Sequence, residues 1–304
     1  THCINPMAAA IRLADRVSTV SPTYAREICR PSEPSNGFIG GEGLESLLLE
    51  ARASNRLTGV LNGCFYDDLR GRRPGWQRII SMLESQLRDW LKRTPENEAH
   101  KLAMERVATM PKRRPRHLLT SIGRLVAQKA TLLLHEDKSG KSALQRIAGE
   151  LGKNGVIIVL GSGETIFEER LLDVARKTPN LIFLCGYSEF LAEPLYHAGD
   201  LFLMPSSFEP CGISQMLAMR RGQPCIAHAI GGLRDTIRDQ KTGFLFGGST
   251  PDTQADAFVT TTLGALTVRT DDPMRWQDIR KAAAAQRFDW ASSAKRTIES
   301  LYED

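Results

Sequence analysis

VIIVLGSGETIFEERLLDVARKTPNLIFLCG, residues 156–186, holds the fold in miniature. Val156–Leu160 is an unbroken apolar run, four of its five residues β-branched, and glycines stop it at once. A run that short reads as a strand covered on both faces. Ile166–Lys177 reads as a helix and Leu181–Cys185 as a second apolar strand. Two buried strands joined by such a helix pair in parallel, because a crossover of that length returns the chain in its original direction.

The pattern extends to both sides. Strands are expected at His117–Ile122, Leu201–Met204 and Pro224–Ala227, and helices at Lys141–Gly152, Glu189–Ala198 and Ser214–Arg221. Such alternation builds an α/β fold around a doubly wound parallel sheet, with ligands at the carboxyl ends of the strands. Upstream, Trp76–Lys92 places Ile79, Ile80, Leu83, Leu87, Trp90 and Leu91 on one helical stripe. A second helix is expected over residues 97–108, and Pro111-Lys112-Arg113-Arg114-Pro115 reads as a domain boundary. The head mixes a helix at 8–14, a short strand at 16–20, a Gly- and Pro-rich loop at 31–43 and a helix at 44–53. A strand at 59–61 closes it, ending in the turn Asn62-Gly63. The sequence contains neither an internal repeat nor a low-complexity tract.

Composition narrows the classes. The chain has 304 residues, 41% of them hydrophobic and 25% charged, which excludes a wholly disordered protein and allows one large or two ordinary domains. Apolar runs stay well short of the roughly 20 residues that span a bilayer, so no membrane role is expected. Thr1-His2-Cys3-Ile4-Asn5 offers neither an initiator Met nor the layout of a signal peptide, and the chain is expected to be cut from a longer one. The six cysteines lack metal-ligand spacing, so no metal is expected and a reducing, cytoplasmic setting is inferred. Between Arg70 and Lys129, fifteen Lys/Arg stand against five Asp/Glu. This block has neither interleaved aromatics nor a zinc-finger pattern, so a solvated basic face is preferred to a nucleic-acid partner.

The loops after the strands hold the chemistry. Gly123–Lys129 sets Arg124 and Lys129 five residues apart beside a strand end, a fork and a movable point charge that suit a diphosphate, or two ordinary surface charges. Gly161-Ser162-Gly163-Glu164 lacks the third glycine of a dinucleotide loop and fits a tight turn equally well. Tyr187 sits where a ring could stack on a base, or simply half-bury. Pro205–Gln215 brings Glu209, Cys211, Gly212, Ile213 and Ser214 to a turn with free N–H groups, and Gly231-Gly232 makes a second such turn. Cys211 has no His or Asn placed to activate it.

RLVAQK at 124–129, FEPCGISQ at 208–215 and GGLRDTI at 231–237 resemble, in this order, the bacterial glycogen synthase and plant starch synthase family. So do ADRVSTVSPTYAREI at 14–28, LTGVLNG at 57–63 and FDW at 288–290. The resemblance covers nearly all of the chain except about 70–97. It implies a GT-B fold of two Rossmann-like domains facing across a cleft, and a retaining transfer of glucose from ADP-glucose to the non-reducing end of an α-1,4-glucan without metal. On that reading 1–110 is the end of the acceptor-side domain plus a basic helical linker, 111–287 binds the nucleotide sugar, and 288–304 crosses back. Arg124 and Lys129 would hold the diphosphate, and Glu209 the glucosyl hydroxyls. The amides of Cys211, Gly212 and Ile213 would contact the sugar, Ser214 the phosphate and Tyr187 the adenine, with Gly231 and Gly232 as donor-side backbone. The sequence departs from the family at Ser207 (Arg), Ile230 (Thr), Ala130 (Gly) and Cys64-Phe65 (Ile-Asp). A divergent, catalytically weak module that binds nucleotide sugar or glucan is the alternative.

Overall fold

A computed structural model describes residues 5–66 and 71–303. The head contains α1 (Pro6–Leu13), β1 (Val17–Thr19), α2 (Pro22–Glu27), α3 (Glu45–Ala53) and β2 (Leu57–Gly59). Two long helices follow, α4 (Trp76–Arg93) and α5 (Glu98–Ala108). The alternating part runs β3 (His117–Ile122), α6 (Ala127–Leu134), α7 (Ala143–Leu151), β4 (Gly155–Gly161), α8 (Thr165–Arg176), β5 (Leu181–Cys185), α9 (Glu189–Ala198) and β6 (Leu201–Met204). It continues through α10 (Ser214–Arg220), β7 (Cys225–His228), α11 (Gly231–Thr236) and β8 (Gly243–Phe246), and ends in α12 (Pro251–Asp271), α13 (Pro273–Ala285) and α14 (Trp290–Leu301).

Among the described residues β3 to β8 form one parallel sheet of order β5-β4-β3-β6-β7-β8, and β1 pairs with β2 in a separate parallel ladder. All seven residues of β4 are buried, as a strand covered on both faces requires. The pleat sends Ile157 and Val159 into one core with Ile147, Leu171 and Phe258, and Ile158 and Leu160 into another with Ile79, Leu83 and Leu87.

That second core moves the expected boundary. The apolar stripe of α4, with Ala103 and Val107 of α5, packs on Leu118, Val156 and Ile182 of the sheet, so residues 76–108 are not a linker. Pro111–Pro115 looked like a joint because it is rich in Pro and Arg, yet Arg114 is held at 2.9 Å by the buried carboxylate of Asp200. Arg73 (3.1 Å) and Arg269 (3.3 Å) share that carboxylate, and the Leu118 N–H donates to it at 2.9 Å. Burial alone would raise the Asp200 carboxyl; Arg114, Arg269 and Arg73 together hold it below its ordinary value.

The head docks on this sheet domain. The Thr23 N–H and hydroxyl donate to Asp235 of α11 at 2.7 and 2.6 Å, and the Ser21 hydroxyl donates to the carbonyl of Pro210. The carboxyl-terminal segment returns to the head: the Cys64 N–H donates to Phe288 O at 2.6 Å, Tyr66 Oη accepts from the Phe288 N–H at 3.0 Å, and the Ser293 hydroxyl reaches Leu61 O. The strand expected at 59–61 lies two residues earlier, because β2 pairs Leu57–Gly59 with Val17–Thr19.

Candidate active site

After β3 the chain builds β4 and β5 on one side of it, whereas after β6 it builds β7 and β8 on the other. β3 and β6 pair only at Leu119↔Leu201 and Thr120↔Phe202, so the loops beyond them part and leave a crevice. Ligands of open α/β sheets bind at such a switch point.

The two loops that flank it hold each other. The Ser207 N–H donates to Gln128 O at 2.8 Å, and Gln128 Nε2 donates to Phe208 O at 2.9 Å. Beneath this bracket the Lys129 ammonium pairs with Glu209 Oε2, which also accepts from the Ser206 hydroxyl at 3.1 Å. The Glu209 side chain is 7% exposed and that of Lys129 22%. A buried ion pair with extra donors is fixed in place, and removing either partner strands the other charge. His228 closes the floor, with Nδ1 at 3.1 Å from Ser206 O and its ring stacked on Phe246. Burial lowers its pKa, so it is a neutral imidazole donating to that carbonyl.

Arg124 is exposed and has no hydrogen bond or ion pair among the described residues. It lines a cavity of about 560 Å³ at the carboxyl ends of β3, β4 and β5, together with Gly161, Ser162, Tyr187, Tyr196 and Ser214. Tyr187 stands 77% exposed at the mouth, its hydroxyl on Glu189 Oε1 at 2.7 Å. The Ser214 side chain meets the hydroxyl of Tyr196, which burial pushes up to about 12. The GSG loop serves the neighbouring loop: the Leu125 N–H donates to Ser162 O at 2.9 Å and the Glu164 N–H to Leu125 O at 2.8 Å.

The two turns expected to offer free N–H groups differ. In the first, Gln215 Nε2 donates to the carbonyls of Cys211 and Gly212, each at 3.0 Å, while the amides of Cys211, Gly212 and Ile213 have no acceptor among the described residues. In the second, the Gly231 N–H donates to both Glu27 carboxylate oxygens at 3.0 and 3.2 Å, and the Gly232 N–H to Glu209 O at 3.0 Å. Neither of those two amides is left for a ligand, which corrects the expectation for Gly231 and Gly232. Cys211 is buried, its thiol pushed up to about 11 by burial, so it is no thiolate at neutral pH.

Glu27, Asn62 and Ser206 border the site without having been picked out by sequence. The Asn62 backbone bonds the Cys211 sulfur, and Glu27 lies 204 residues from its partner. The Ser-Pro-Thr start of α2 is a local helix cap, supplied by Ser21, and carries no signal of the distant contact that Glu27 makes. Among the described residues there is no group of three or more side chains suited to hold a metal ion, and no helix is long and apolar enough to cross a membrane.

Residues 116–262 match the family model described as glycosyl transferases group 1, and 1–50 match the starch synthase catalytic domain. A curated glycogen synthase of Thioalkalivibrio sulfidiphilus is 35% identical over 97% of this chain and 56% of its own length. That of Glaesserella parasuis is 32% identical over 99% of the chain and 59% of its own length. The chain thus spans little more than half the length of the curated relatives it matches. The catalytic domain of starch synthase IV from Arabidopsis thaliana, solved with ADP and acarbose, superposes with a TM-score of 0.71 at 27% identity, covering 98% of this chain and 57% of that one. Anabaena Alr3699/HepE in complex with UDP-glucose shares the fold at a TM-score of 0.58 and 20% identity, covering 96% and 65%. With the RLVAQK and FEPCG loops converging on the switch point of a parallel sheet, the chain has the GT-B fold and is similar, along nearly all of its length, to the glycogen synthases and starch synthases.

Proposed function

We propose that this chain carries the donor-binding part of a retaining glucosyltransferase, which moves glucose from ADP-glucose to the non-reducing end of an α-1,4-glucan. The observation that carries the reading is the buried Lys129–Glu209 pair set beside a free Arg124 and three open amides, all at the switch point.

Arg124 and Lys129 take the diphosphate oxygens. Lys129 is already oriented by Glu209, so donor phosphate enters as a further partner of a fixed ammonium rather than ordering a loose one. As the glycosidic bond to phosphate breaks, negative charge grows on the leaving oxygen, where both cations stabilise it, while the amides of Cys211, Gly212 and Ile213 hold the sugar. Glu209 accepts from glucosyl hydroxyls, Ser214 lies against the phosphate, and the adenine enters the cavity at Tyr187. No side chain acts as covalent nucleophile; the acceptor hydroxyl attacks the same face that the phosphate leaves. The domain division that goes with this reading places residues 71–287 with the donor, the head with the acceptor-side domain, and 288–304 as the return segment.

Calorimetric titration of the chain with ADP, ADP-glucose and UDP-glucose tests the reading, with Arg124→Ala as control. Binding of the adenine ligands, weakened in the control, is the expected result. Failure of all three nucleotides to bind overturns it in favour of the divergent, catalytically weak module in its glucan-binding form.

A further inference from the structure

Four cations of the basic block find employment in the fold: Arg73 and Arg114 hold Asp200, and Arg124 and Lys129 stand at the donor crevice. Arg106 is different. It lines a cavity of about 770 Å³ at the amino ends of β4 and β5, at the far side of the sheet from the crevice. Lys141, Lys153 and Lys177 line the same cavity, and Met110 and Ile182 give it an apolar wall. No Asp or Glu is among its lining residues.

Three further observations make this more than a solvated charged face. The three lysines have no ion pair or hydrogen bond to their ammonium groups among the described residues. Arg106 Nη2 donates to Arg176 O at 3.3 Å, yet its Nε is buried without an acceptor among the described residues. A buried charged donor without an acceptor is unfavourable, and it rarely persists without a role. The carbonyls of Ala148, Gly152 and Gly155, which would repel an anion at the wall, are instead engaged by Asn180 Nδ2 at 2.9, 3.0 and 3.2 Å.

We propose that this cavity is a second ligand site, for a phosphate monoester carried on an apolar body. The guanidinium and the three ammonium groups take the phosphate, which relieves their mutual repulsion. Met110 and Ile182 cover the apolar body, and the volume falls in the range of small-molecule sites, about 300–1,000 Å³. The length of β4 separates it from the crevice by about 20 Å, so it is independent of the donor site and of the glucosyltransferase reading.

Phenyl phosphate is the probe, titrated into the chain with methyl resonances of Met110 and Ile182 observed by NMR and saturating ADP present. Saturable shifts of both methyls are expected, with affinity at least ~10-fold above that for inorganic phosphate or phenol, since a charge-assisted bond and apolar contact each exceed a tenfold gain. In Lys153→Ala/Lys177→Ala, which alters two exposed and unpaired side chains, affinity should fall at least ~10-fold with the melting temperature unchanged. Absence of saturable shifts, equal affinity for phenol or inorganic phosphate, equal affinity in the double variant, or displacement by ADP each overturns the proposal.

Discussion

The turn after β6 and the turn after β7 are built from similar parts, a glycine at positive φ two residues ahead of a short helix in the first (Gly212 at 74°) and at the helix's first residue in the second (Gly231 at 39°). In the first, a glutamine side chain reaches the carbonyls and the amides stay open. In the second, Glu27 and the carbonyl of Glu209 take the amides. Local sequence specifies an N–H-rich turn; a partner from elsewhere in the chain decides whether its donors are available. The β7 turn therefore acts as a buttress, bonded to the backbone of the very residue that the β6 turn presents.

The strongest way to break this comparison is at Glu209. Glu209→Gln keeps the shape but removes the charge that fixes Lys129, and glucan transfer by the full-length protein should fall by at least ~100-fold. Glu209→Ala should also lower stability by about 3 kcal/mol in urea unfolding, because the Lys129 ammonium is left buried without its partner. Transfer within a few-fold of wild type in the Gln variant would remove Glu209 from the chemistry.

The glycines sharpen the contrast. A Cβ on Gly231 would lie 1.9 Å from the carbonyl oxygen of Glu209, whereas on Gly212 it would meet the movable end of Gln215 at 2.5 Å. Gly212→Ala should cost about 1–2 kcal/mol for the left-handed backbone. Gly231→Ala adds a displaced backbone and should cost about 3 kcal/mol or more. Equal urea midpoints would mean that the β7 turn is not a buttress.

Arg124→Ala separates binding from folding. The side chain is exposed and unpaired among the described residues, so stability should stay within about 0.5 kcal/mol. ADP affinity should fall by about tenfold or more for a lost charge-assisted contact, read by calorimetry. A stable variant with unchanged ADP affinity would take Arg124 out of the donor site.

These contrasts mark what sequence could reveal. Leu181–Cys185 and Leu201–Met204 were legible to the residue because strands buried on both faces are continuous apolar runs, and the bounds of His117–Ile122 were matched as well although Thr120 and Ser121 interrupt its apolar run. α12, 21 residues long, was missed because threonine and alanine spread around it leave no clear stripe, and β8 was missed with it. Gly123–Lys129 read as a loop running into a helix start, and α6 begins within it at Ala127. Lys129 and Glu209 stood out as candidates because each lies in a short motif at a strand end. Their pairing, and the closure of the Gly231 turn, were not legible: those contacts join residues 80 and 204 positions apart.

The gentlest test of the buttress is Glu27 itself. Burial raises the Glu27 carboxyl above its ordinary value, the Gly231 N–H opposes the rise and Asp235 adds to it. A group whose pKa is higher folded than unfolded binds its proton more tightly in the native state. Its contribution to stability is thus complete below the ordinary value of 4.5 and is lost as pH rises through the folded value. Glu27→Gln keeps an oxygen for the Gly231 N–H and has no charge to bury. Measured by urea unfolding from pH 4 to 7, the variant should gain on the wild type as pH rises, with ADP binding retained. A difference that does not change with pH would mean that the carboxylate is not buried against the turn, and that the amide of Gly231 is as open to a ligand as those of Cys211, Gly212 and Ile213.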